Sequence, residues 1–88
     1  MDNRVIDILE AAVEKWGVEE QTNMAIEEMG ELIVAINHYR RGRIWIAALQ
    51  EEIADVWITI HQMALMYGIN EVQDIYKKKI KRLECSLK

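Results

Sequence analysis

Apolar residues recur along this chain with a helical period, and no segment alternates as a half-buried strand does. Val5, Ile8, Leu9, Ala12 and Val13 share one face of a helix from about Arg4 to Trp16, with Gly17 where a left-handed C-cap belongs. A second helix is predicted from about Glu20 to Tyr39, closed by Gly42, and a third from about Trp45 to Tyr67, closed by Gly68. Asn70 and Gln73 then form an Asn-x-x-Gln capping signature for a fourth helix, from Glu71 to about Leu87. Three glycines thus punctuate helices. Gly30 instead lies inside the second helix, where it costs up to about 1 kcal/mol. A glycine there usually marks the close approach of another backbone or a ligand. The predicted fold class is all-α: a four-helix bundle protomer formed by one domain, residues 1–88.

Composition adds an expectation about assembly. Of the 88 residues 51% are apolar and none is proline. A lone domain of this size buries only about 60–65% of its unfolded surface. The surplus points to burial against other copies, as a homodimer or a dimer of dimers (homotetramer). The single Cys85 excludes a disulfide scaffold, and the lack of turn-rich spacing argues against an all-β fold. No targeting segment opens the chain. The longest stretch without Asp, Glu, Lys or Arg is the 15 residues from Val56 to Asn70, short of the roughly 20 that span a bilayer. The expectation is a cytoplasmic protein with no membrane partner.

Charge is divided unevenly. Residues 1–76 carry 14 acidic and 5 basic side chains (−9), and residues 77–88 carry 1 and 6 (+5), which sums to −4. A nucleic-acid polymer is a poor partner for such a body, because dedicated binders are basic over most of the fold. A DNA-binding reading resting on the Lys77–Arg82 run is disfavoured for that reason.

The chemistry lies in where the acids fall. With about 100° per residue, Glu28 sits within the apolar stripe of the second helix (Met24, Ala25, Met29, Leu32, Ala35, Ile36), and Glu31 about 60° to its edge. The third helix repeats this offset. Glu52 lies among Ala48, Leu49, Ile53, Val56, Thr59, Ile60 and Met63, with Asp55 at the edge. Acidic pairs at i, i+3 are common on solvated faces, but two pairs with the same offset from an apolar stripe are not.

If the stripes pack together, four carboxylates converge, and burying them unpaired costs several kcal/mol at least. Raised pKa values, salt bridges or cations can relieve this. Lys79 and Arg82, within and beside the apolar arc of the fourth helix (Val72, Ile75, Tyr76, Ile80, Leu83, Leu87), are the candidate bridging partners. Hard cations prefer oxygen ligands, so Mg²⁺ or Mn²⁺ suits the set. A di-iron centre would use Glu-x-x-His pairs. His61 falls opposite Glu52 and His38 well outside the Glu28 stripe, so neither supplies one.

Glu27-Glu28-Met29-Gly30-Glu31, followed after 20 residues by Glu52-Ile53-Ala54-Asp55, resembles the EExxE…ExxD signature of MazG-type nucleotide pyrophosphohydrolases, members of the all-α NTP pyrophosphatase superfamily. Trp16-Gly17, Gln21, Leu32, Ala35-Ile36, Val56 and Lys79-Ile80-x-Arg82-Leu83 extend the likeness over roughly residues 13–83. The resemblance implies Glu28, Glu31, Glu52 and Asp55 as Mg²⁺ ligands. It also implies hydrolysis of a nucleoside triphosphate to the monophosphate and pyrophosphate, as in nucleotide-pool cleansing. Lys79 and Arg82 would meet the substrate phosphates, and Glu27 would orient water or support the metal site. Trp16, Trp45 and His38 are base-stacking candidates. An asparagine that several relatives use on the last helix has no counterpart here beyond Asn70, so base and sugar preference stays open. A second reading is a non-catalytic helical module whose acidic face docks a basic partner.

Overall fold

Each of the four apolar periodicities folds as a helix in the computed structural model, which describes residues 2–88: α1 spans Asn3–Trp16, α2 Val18–Arg40, α3 Ile46–Tyr67 and α4 Ile69–Ser86. The described residues contain no strand, and the fold is all-α. Asp2 starts α1 by accepting the Arg4 N–H on its side chain at 2.8 Å. α2 ends in a Schellman pair, with the Gly42 N–H donating to Tyr39 O and the Arg43 N–H to His38 O, both at 2.9 Å.

The other two junctions are single glycines: Gly68 closes α3 in the left-handed conformation as expected, whereas Gly17 departs from the expectation. Gly17 does not adopt a left-handed helical conformation. Its φ of 87° and ψ of 158° lie in a region open essentially to glycine alone. Its N–H donates to Val13 O at 2.7 Å while its carbonyl accepts the Gln21 N–H at 3.1 Å, so one residue ends α1 and begins α2. Gly68 does the same between α3 and α4, through Ala64 O and the Val72 N–H, both at 3.0 Å. Because Gly68 is itself the N-cap, Asn70 falls inside the first turn of α4 and does not cap it. The Asn70–Gln73 signature was misplaced by the early start of the helix.

Packing centres on α2 against α3. α1 lies across both, and α4 touches α3 alone. The seam uses small residues: Ala25 and Ala35 of α2 and Thr59 and Ala64 of α3 are buried, with Leu9 of α1 above them. Short side chains let helix backbones approach closely and leave little room for error in packing.

Gln62, only 4% exposed, joins three helices. Its Nε2 donates to the Leu9 carbonyl of α1 at 2.9 Å and to Gln21 Oε1 of α2 at 3.0 Å. A hydrogen bond between Thr22 Oγ1 and the Tyr67 hydroxyl, 2.8 Å, ties α2 to the last turn of α3.

The apolar arc of α4 does not enter this core. Val72, Ile75, Tyr76, Ile80, Leu83 and Leu87 are all exposed, as are Lys79 and Arg82. The expectation that the arc faces inward fails because α4 departs from α3 at Gly68 and finds no second helix to lie against.

Replacing Gln62 with alanine removes both hydrogen bonds, one to the buried Leu9 carbonyl and one to the part-buried Gln21 Oε1, at about 1–3 kcal/mol. Calorimetry should show Tm lowered by at least about 4 °C in a domain of this size. An unchanged Tm would mean that Gln62 does not hold the three helices together.

Candidate metal centre and cavity

Two helical turns on different elements build the site. On α2 the i, i+3 spacing puts Glu28 and Glu31 on neighbouring positions of one face, and on α3 it does the same for Glu52 and Asp55. The α2–α3 seam then brings carboxylate oxygens of Glu28, Glu31 and Glu52 within 4.8 Å of one another. Glu28 and Glu52 are half-buried and Glu31 is exposed. Asp55, also exposed, falls outside this group of three, although its charge reaches both Glu28 and Glu52. The convergence expected of four carboxylates is therefore a convergence of three, with the fourth alongside.

The cluster is electrostatically uncompensated. Glu28 Oε2 and Glu52 Oε2 are each buried with no hydrogen-bond partner. Burial raises the pKa of Glu28 above the usual carboxylate range, and the charges of Glu31, Asp55, Glu52 and Glu27 raise it further. Burial likewise raises Glu52, followed by repulsion from Glu31, Asp55 and Glu51. Desolvation and like charge both disfavour ionisation, so the native protein holds these acids under strain. A divalent cation held by oxygen ligands relieves both causes at once.

Beside the acids lies a cavity of about 570 Å³, within the usual range for small-molecule sites. Glu27, Glu31 and Glu52 form its acidic end. Val34 and Ala35 of α2 form an apolar wall with Ala48 of α3 and Ile44 from the preceding loop, and His38 lines it as well. Gly30 is on this wall, and a Cβ built there would meet nothing within 4 Å. No other backbone approaches Gly30, and its face is open to the cavity.

The other candidates lie elsewhere. Trp16 is 55% exposed with the Lys15 Nζ 5.1 Å from its ring centroid, and it does not line the cavity. Trp45 is the exposed N-cap residue of α3. Lys79 and Arg82 stand on exposed α4 and do not line the cavity within one protomer. His61 packs edge-to-face with Trp57, 6.5 Å between ring centroids, and is not one of the clustered ligands. Ile44 was not singled out from sequence. A loop isoleucine gives no periodic signal, and only the return of the chain into α3 places it on the cavity.

No family model, curated protein or solved structure matches this chain.

The pKa directions carry a stability consequence. Glu28 and Glu52 hold their protons to higher pH in the folded protein than the 4.5 of the free side chain. The folded state therefore binds more protons between the two values, and stability falls as pH rises through that interval. Melts of metal-free protein from about pH 5 to about pH 8 should show Tm declining, less steeply in Glu28→Gln. Mg²⁺ at 100 times its Kd should restore about 2.7 kcal/mol to the wild type at the upper pH and much less to the variant. Identical slopes in the two proteins would place the repulsion elsewhere.

Proposed function

We propose that the protein is a Mg²⁺-dependent nucleoside triphosphate pyrophosphohydrolase of MazG type, releasing a monophosphate and pyrophosphate. One observation carries the reading: two buried carboxylate oxygens without partners, on different helices, share a cluster that borders a cavity of nucleotide-compatible size. The resemblance of Glu27–Glu31 and Glu52–Asp55 to the family signature supports the same conclusion from the sequence side.

On this reading Glu28, Glu31 and Glu52 hold the metal, with Asp55 as the fourth ligand of the signature. Bound Mg²⁺ (Mn²⁺ as a substitute) supplies Lewis acidity toward phosphoryl oxygens and acidifies a water. The protein's own contribution begins with charge. A triphosphate carries about four negative charges, and the acidic end repels it unless cations intervene, which makes binding of substrate and metal interdependent. The apolar wall of Val34, Ala35, Ile44 and Ala48 receives the nucleoside, and His38 offers a ring for stacking or hydrogen bonding with the base.

Cleavage requires a water oxygen to bond to the α-phosphorus while the bond from that phosphorus to the bridging oxygen breaks. The electron pair leaves on pyrophosphate. Glu27, exposed and lining the cavity, is our candidate for orienting that water. By the resemblance, Lys79 and Arg82 offset the charge on the departing pyrophosphate.

Pyrophosphate release from a panel of ribo- and deoxyribonucleoside triphosphates tests the assignment. We expect turnover that a chelator abolishes, and a loss of at least about 100-fold in kcat/KM for Glu52→Gln. Absence of release with every nucleotide, or full activity in Glu52→Gln, would refute it.

A further inference from the structure

The turn that leads from α2 back into α3 is the basic part of an otherwise acidic body. Residues 1–76 hold 5 lysines and arginines, and three of these, Arg40, Arg41 and Arg43, fall within four positions. All three are exposed. The cavity borders this turn. His38 and Ile44 both line it, so the chain between them runs along its edge. On α2 the lining residues Gly30, Val34 and His38 fall within an arc of about 80°, and Arg41 lies in the same arc one turn further on. Arg41 also lines a recess of about 290 Å³ with Arg40 and Asn37.

The backbone fixes this turn. The Arg41 N–H donates to Asn37 O at 3.2 Å and the Arg43 N–H to His38 O at 2.9 Å. Asn37 turns its Nδ2 to the Ile33 carbonyl at 3.2 Å, so the guanidinium groups are the cationic donors that the recess offers a ligand. The last carbonyls of α2 amount to about half a negative charge, which one basic residue offsets. Three leave the turn positive.

We propose that the arginine turn is an anion subsite, and that it receives a phosphate carried on the sugar 3′ side of the nucleotide in the cavity. The inference rests on the nucleotide reading of that cavity. The site is polar at both ends with opposite sign. Glu27, Glu31 and Glu52 stand at one end, and ten residues of α2, about 15 Å along its axis, separate Glu31 from Arg41. The metal-bound triphosphate belongs to the acidic end and the nucleoside to the apolar wall between. An anion at the arginine end is therefore attached to the nucleoside side of the ligand. A neutral base edge does not offset three cations, whereas a phosphate monoester brings about −1.5 to −2 at pH 7 and suits the guanidinium fork.

Binding of unreactive nucleotides tests this without turnover. With Mg²⁺ present, nucleoside 3′,5′-bisphosphates of the four bases are compared with the matching 5′-monophosphates by calorimetry. For the base that binds best, the bisphosphate should have a Kd at least about 10-fold lower. The Arg40→Gln, Arg41→Gln pair should bring that ratio close to one, and Arg41→Lys, which keeps the charge without the fork, should retain part of it. Mg²⁺ should still raise the Tm of the double variant, showing that fold and carboxylate cluster persist. A 5′-phosphorylated dinucleotide, whose 3′-phosphate is a diester, separates a free nucleotide from the end of a strand. The bisphosphate should bind the tighter, and the reverse order would overturn the assignment to a free nucleotide. Equal binding of mono- and bisphosphate by the wild type, or a ratio that survives in the double variant, would overturn the subsite while pyrophosphate release stands. A preserved ratio in wild type that the variants lose, without release from any triphosphate, would uphold the subsite and remove the hydrolase. Failure of every nucleotide to bind would refute both.

Discussion

The packing of α2 on α3 is the constraint from which the rest follows. A helix seam buries whatever side chains its apolar stripes carry, and both stripes here carry a glutamate. Bringing the alanines of α2 against Thr59 and Ala64 of α3 also brings Glu28 and Glu52 together, so the interaction that stabilises the fold also creates its worst electrostatic conflict. Moving either helix to separate the acids would open the seam. The conflict is thus built into the core and calls for a cation, a proton or a change of sequence to relieve it.

The surrounding architecture keeps that seam in register. Gly17 and Gly68 each end one helix and begin the next within a single residue, which leaves the inter-helix connections almost no slack. Gln62 adds a polar joint between α1, α2 and α3 deep in the packing. A glutamine there specifies one arrangement, because its amide must meet both the Leu9 carbonyl and Gln21. The cavity is a by-product of the same geometry. Where Gly30 supplies no side chain and the chain re-enters α3 through Ile44, the two helices leave room beside the acids.

α4 stands apart. Its arc has the regularity of a core-facing helix, yet one protomer offers it a single neighbour. An amphipathic helix in water gains little by folding unless its apolar face is covered, and within the chain only α3 lies against α4. The same helix carries five of the chain's 11 lysines and arginines, among them Lys79 and Arg82, which do not line the cavity beside the carboxylates.

How much of this was legible in the sequence depended on range. Helix number and approximate ends followed from apolar period and glycine position, because both act within a few residues. The offset of Glu28 and Glu52 into apolar stripes was readable for the same reason, since angular position on a helix is local arithmetic. Asn70 misled because a capping signature does not reveal that a neighbouring glycine has already begun the helix. The α4 arc misled because periodicity shows that a face is apolar and not what it meets. Only the tertiary structure decided that Glu31 joins Glu28 and Glu52 while Asp55 stands beside them, that Gly30 and Ile44 open onto one cavity, and that Gln62 spans three helices. Each of these depends on the distance between residues far apart in the chain, which is set by how close two helix axes come and at what angle. No local pattern encodes those quantities.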